Sequence, residues 1–121
     1  MNKARILIAD DSAIVRSLLV EALTNDSDFE VWEARDGVEA LDKSLELNPD
    51  LILLDLAMPR KNGMEVASIL RTTSPTIKIV IFTMYPESIS RPLASALGVD
   101  LVLSKPDGMN QVVKSVKTLL A

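Results

Sequence analysis

Short apolar runs alternate along this chain with stretches whose apolar residues recur at helical spacing. Arg5-Ile6-Leu7-Ile8-Ala9 stops at Asp10-Asp11-Ser12, and Val15, Leu18, Leu19, Ala22 and Leu23 then follow one helical face. Asn25-Asp26-Ser27-Asp28 is a predicted break before Phe29-Glu30-Val31-Trp32-Glu33-Ala34, whose alternation predicts an edge strand with one partly open face. Arg35-Asp36-Gly37 turns into a second helix, with Val38, Leu41 and Leu45 expected on its buried stripe and Asn48-Pro49 closing it. Leu51-Ile52-Leu53-Leu54 is apolar without interruption and ends on Asp55, as a strand covered on both faces does. After Pro59 and Asn62-Gly63, the residues Met64, Val66, Ala67 and Leu70 predict a third helix ending near Thr72-Thr73-Ser74-Pro75.

Ile77-Lys78-Ile79-Val80-Ile81-Phe82-Thr83 is rich in β-branched residues and predicts a fourth strand. Pro86 suits a helix start, but Pro92 denies a long helix its backbone donor. The fourth helix therefore either kinks or begins late, with Ser90 as cap and only residues 92–97 remaining. The stretch 85–97 is expected to be the least stable part of the fold. Leu101-Val102-Leu103 makes a fifth strand, Lys105-Pro106 leaves it, and Asp107 is the expected cap of a last helix carrying Val112, Val113, Val116, Leu119 and Leu120. Strands and helices thus alternate, which predicts an α/β fold with a five-stranded parallel sheet and helices on both faces. If the order is 2-1-3-4-5, as in flavodoxin-like folds, strands 1 and 3 are neighbours and the site lies between their ends. One domain over residues 1–121 is expected, since the length leaves no room for a second core.

Composition narrows the function. The chain is 48% hydrophobic with a net charge of -4, and Trp32, Tyr85, Phe29 and Phe82 are its only aromatics, so contact with nucleic acid or an anionic membrane is not expected. No apolar run approaches the ~20 residues of a membrane span, and Met1-Asn2-Lys3 leads straight into a strand rather than a leader; a cytoplasmic protein is expected. With no Cys and no His, any thiolate or imidazole chemistry must be supplied by another molecule.

Singly, Asp10 or Asp11 reads as a helix cap, Asp55 as a turn residue, and Thr83 and Lys105 as ordinary strand-end residues. Jointly they are four strand ends delivered to one sheet edge. Three carboxylates placed together repel, and a cation relieves them. Oxygen-only ligands select a hard ion such as Mg²⁺, which keeps open positions for phosphate oxygens. A carboxylate beside Mg²⁺, an ammonium and a hydroxyl is equipped to accept a phosphoryl group.

With Asp10-Asp11 after the first strand, Asp55-Leu56-Ala57-Met58-Pro59 with Gly63 behind it, Thr83 after the fourth and Lys105-Pro106 after the fifth, the whole chain resembles the receiver domain of two-component response regulators. That resemblance implies that Asp55 is the phosphoacceptor, that Asp11, Asp55 and the Ala57 carbonyl ligate Mg²⁺ directly with Asp10 acting through water, and that Thr83 and Lys105 grip the phosphoryl group. It implies a histidine kinase or phosphotransfer protein as donor, an unidentified downstream protein as reader, and a monomer or phosphorylation-dependent dimer. Such a domain catalyses its own phosphorylation and dephosphorylation yet acts chiefly as a switch. In such domains the Lys105-Pro106 bond is often cis. The pattern departs from the family three residues before Lys105, where receivers usually carry a switching Tyr or Phe and this chain has Val102. The alternative is a pseudo-receiver interaction module independent of phosphorylation. Ala57 and Tyr85 flank the expected path of attacking water, which predicts a long-lived phosphoryl group. An aspartate-based phosphohydrolase fits less well, because Ala57 stands where its acid/base Asp is needed.

Overall fold

The computed structural model describes residues 3–25 and 28–121, so the Asp26-Ser27 part of the predicted break, and the leading Met1-Asn2, lie outside the described residues. The elements run β1 (Ala4–Ala9), α1 (Ala13–Thr24), β2 (Phe29–Ala34), α2 (Gly37–Leu47), β3 (Leu51–Leu54), α3 (Gly63–Thr73), β4 (Lys78–Thr83), α4 (Arg91–Ala96), β5 (Leu101–Ser104) and α5 (Met109–Leu120). All strand pairs are parallel, as expected from the alternation, and their order is β2-β1-β3-β4-β5. β2 stands at the edge and β3 lies at the centre, fully buried along its length.

Strand alternation divides the core in two. Leu7, Ala9, Ile52, Leu54, Ile79 and Ile81 face one side and meet Ala40 of α2 and Val66, Ala67 and Leu70 of α3. Their neighbours Ile6, Ile8, Leu51, Leu53, Val80 and Phe82 face the other side and meet Leu19 and Leu23 of α1 and Val112 and Val116 of α5.

Two expectations are corrected. The stripe of α2 is turned: Leu45 is 69% exposed, and the buried residues are Gly37, Ala40 and Ser44. These share an i, i+3, i+7 face of small side chains, which admits the helix close to the sheet where leucines would hold it off. Asp107 does not cap α5. Lys105, Pro106 and Asp107 form a 3₁₀ turn, so the helix starts one residue later than an Asp107 cap requires. Its N-cap is Gly108 at φ 88°, without a side-chain cap. The Lys105-Pro106 bond is trans, as is every described peptide bond. The late start of α4 is as expected: Ser90 Oγ accepts from the Leu93 N–H at 3.2 Å, Pro92 sits in the first turn, and Pro86 opens a separate 3₁₀ turn over Pro86–Ser88. No helix among the described residues is long and apolar enough to cross a membrane.

Candidate functional site

The register brings the strand ends to one edge. Ala9 lies beside Leu54, Leu54 beside Ile81, and Thr83 beside Ser104, so Asp10, Asp55, Thr83 and Lys105 all stand at the carboxyl edge of the sheet. One carboxylate oxygen from each of Asp10, Asp11 and Asp55 lies within 4.8 Å of the other two. Lys105 Nζ closes the group, 2.9 Å from Asp10 Oδ2 and 3.5 Å from Asp55 Oδ2. Asp10, Asp55 and Thr83 are buried, whereas Asp11 is exposed, so the cluster opens to solvent on one side.

Neither acid of the β1–α1 loop caps the helix. Ser12 does so, its Oγ accepting from the Val15 N–H at 3.2 Å. Asp10 Oδ1 in turn accepts from the Ser12 N–H at 2.9 Å, which fixes the carboxylate in the loop instead of on the helix. Asp55 is drawn in by its backbone N–H, which donates to the Ala9 carbonyl at 2.9 Å and so continues the sheet past β3. Burial raises the Asp55 carboxyl above the ordinary carboxylate range, and the Asp10 charge pushes the same way; the Lys105 ammonium and the Ala57 N–H pull it back, and Asp11 adds a smaller upward push. Three carboxylates and one ammonium leave a formal charge of minus two, which suits a divalent cation held by oxygen alone.

Thr83 Oγ1 accepts from the Tyr85 N–H at 3.2 Å, which turns the chain away from the edge. The Tyr85 side chain is 67% exposed, so in this conformation its ring shields little. Val102 is partly buried against the α2/α3 side of the core and lines a cavity of about 590 Å³ between α4 and β5, together with Ile89, Ala94 and Val99. Ordinary packing accounts for this valine, and the cavity occupies space next to it.

Sequence reasoning passed over Arg16. Its guanidinium donates to the Asp10 carbonyl at 2.7 Å and pairs with Glu33 Oε1 at 3.1 Å, tying the acidic loop to β2 from below. The signal was present: Arg16 shares a face with Leu19 and Leu23 at i, i+3, i+7, where a charge needs a reason.

The sequence model of the response regulator receiver domain matches residues 6–117. The chain is 40% identical over 119 residues to the transcriptional regulatory protein ResD of Bacillus subtilis, covering 98% of this chain and 49% of ResD. It is 40% identical over 110 residues to a protein-glutamate methylesterase/protein-glutamine glutaminase of Carboxydothermus hydrogenoformans, covering 89% of this chain and 31% of that protein. It thus spans between about a third and a half of these relatives. Among solved structures, the response regulator TrrA of Thermotoga maritima, crystallised in complex with Mg²⁺-BeF, superposes with a TM-score of 0.87 at 34% identity, over 96% of this chain and 98% of that one. The response regulator domain of Thermotoga maritima CheB superposes with a TM-score of 0.84 at 30% identity, over 97% and 92%. With the sheet order, the acidic edge and these matches in agreement, the chain belongs to the response regulator receiver domain family.

Proposed function

We propose that this domain accepts a phosphoryl group on Asp55 in a Mg²⁺-dependent transfer and signals through the change that follows. The observation that carries the reading is the convergence of Asp10, Asp11 and Asp55 with Lys105 at one sheet edge. Asp11, Asp55 and the Ala57 carbonyl would hold the cation directly and Asp10 through water; a bound Mg²⁺ supplies positive charge to the phosphoryl oxygens. A carboxylate oxygen of Asp55 attacks phosphorus, the bond from phosphorus to the donor's leaving nitrogen or oxygen breaks, and that pair of electrons leaves with the donor. The Lys105 ammonium is placed to exchange its Asp55 contact for a phosphoryl oxygen, and the Thr83 hydroxyl is free to donate at the same edge. Having no His of its own, the chain takes the group from another molecule, a histidine kinase or phosphotransfer protein as the protein donor or a small phosphodonor in its place. ResD is named as a transcriptional regulator and the Carboxydothermus protein as an enzyme, so relatives couple this kind of domain to different outputs. The reader is a separate downstream protein that binds this domain, and residues 1–121 form one receiver unit in the cytoplasm.

The test is incubation with Mg²⁺ and radiolabelled acetyl phosphate. Wild type should take up an acid-stable, base-labile label that Asp55→Ala lacks and that chelation prevents. An unlabelled wild type would favour the phosphorylation-independent interaction module.

A further inference from the structure

The loop between β3 and α3 carries Ala57, and its far half is pressed onto the start of α2. Gly37 is the contact. A Cβ built there would stand 2.0 Å from the Lys61 carbonyl oxygen and 2.5 Å from Lys61 Cβ, so no side chain fits without moving the loop. The residue before, Asp36, caps α2 by accepting from the Glu39 N–H at 2.8 Å through Oδ1, and its other oxygen meets Arg60 Nη1 at 3.3 Å. Arg60 itself sits at φ 70°, a left-handed conformation that an arginine adopts at a cost and that must be held by its surroundings.

The same loop is pinned elsewhere. Met58 is buried in the core, the Lys61 N–H donates to the Pro59 carbonyl at 2.8 Å, and the Gly63 N–H donates to the Leu56 carbonyl at 3.0 Å. Gly63 is also packed on Asp55, where a Cβ would stand 2.3 Å from the Asp55 carbonyl oxygen. Between these anchors Ala57 is exposed, its N–H 3.4 Å from Asp55 Oδ1. The anchors therefore fix the backbone on both sides of Ala57, whose N–H lies against the Asp55 carboxylate.

From this we infer that Gly37, with the Asp36–Arg60 pair, is a clamp that positions the Ala57 backbone for the cation: close approach of α2 to Lys61 sets the loop, and the loop sets the Ala57 carbonyl. The inference rests on the proposed Mg²⁺ site. It assigns to α2, which contributes no ligand, a share of the affinity, because a cation site with one displaced ligand loses binding even when every ligand residue is present. The ion pair is half open to solvent and contributes little to stability on its own, so its role is orientation. The steric contact at Gly37 is the stronger part.

The test compares wild type, Gly37→Ala and Asp36→Asn by calorimetric Mg²⁺ titration, by thermal unfolding without metal, and by amide exchange of Lys61 and Gly63 without metal. Asp36→Asn keeps a capping oxygen for the Glu39 N–H and removes the charge that faces Arg60. Gly37→Ala should weaken Mg²⁺ binding about tenfold and speed exchange at Lys61 and Gly63 while the protein stays folded. Asp36→Asn should shift both readings in the same direction by a smaller factor, with only a small fall in its metal-free unfolding midpoint, the share its lowered carboxyl contributes. Unchanged Mg²⁺ affinity and unchanged loop exchange in both variants would overturn the clamp. If Gly37→Ala fails to fold, Asp36→Asn decides by the same two readings. If wild type binds no Mg²⁺, the proposed function fails, and the metal-free exchange comparison alone decides whether the clamp exists.

Discussion

At the scale of single residues, the chemistry concentrates in one buried carboxyl whose surroundings oppose its charge. Asp55 has a raised pKa in the fold, chiefly from burial. A carboxyl raised above its unfolded value gives stability that is complete below the unfolded pKa and is lost as pH rises through the folded pKa. At neutral pH without metal, the Asp55 charge therefore destabilises the domain. Asp55→Asn should raise the metal-free unfolding midpoint at pH 7, and the gain should vanish as pH falls below the ordinary carboxylate range. Added Mg²⁺ should stabilise wild type and leave the variant unmoved, since a ligand stabilises only the state that binds it. Thermal scans over pH with and without Mg²⁺ check both statements. Asp36 runs the other way: its cap bond to the Glu39 N–H, together with Arg60, holds its carboxyl below the usual range, so its stabilising share is present above the unfolded pKa and is lost as pH falls through the folded one.

Among the elements, α4 and α2 depart most from an ordinary helix. α4 has six residues, and its cap is a large part of what holds it. Ser90→Ala should cost about 1 kcal/mol of local stability, read as faster amide exchange at Leu93 and Ala94, with a much smaller change in global unfolding. In α2 the buried face is small, so Ala40→Leu overpacks the gap to the sheet and should cost about 1–3 kcal/mol in chemical denaturation. Leu45→Gln, at a position 69% exposed, should stay within about 0.5 kcal/mol of wild type. That pair of variants discriminates the observed face of α2 from the one its leucines advertise. Arg71, on α3, donates to the Ala96 carbonyl, so the short helix is also held at its far end by a neighbour.

The molecule as a whole depends on β3. Leu53 is fully buried in the central strand, facing the α1 and α5 side, and Leu53→Ala should destabilise the whole domain by about 2–5 kcal/mol in a single cooperative denaturant transition. The two halves of the core share this strand, so loss on one face loosens the other. The end of the sheet beside α4 is built differently. Val102 and α4 border the cavity of about 590 Å³, and Thr83 leads from the acidic edge toward it through Tyr85. That end has room to rearrange without breaking either half of the core.

The alternation of apolar runs with helical stripes was enough to determine five parallel strands with helices on both faces, because hydrophobic period and crossover handedness leave few other arrangements; the order β2-β1-β3-β4-β5 was expected only by likeness to flavodoxin-like folds. It also determined which residues reach the acidic edge, since a strand delivers its last side chain wherever its register ends. Pro92 left a fourth helix that either kinks or begins late, and the structure takes the late start, Ser90 capping Arg91–Ala96. Tertiary structure decided what depends on distances between elements remote in sequence. The small-residue face of α2, the Ser12 cap in place of Asp10 or Asp11, the Arg16 tie under the acidic loop and the approach of Gly37 to Lys61 each arise from packing against a partner or from a loop's exact turn. Periodicity reports which side of an element is apolar, whereas how closely two elements approach is fixed only when both are in place.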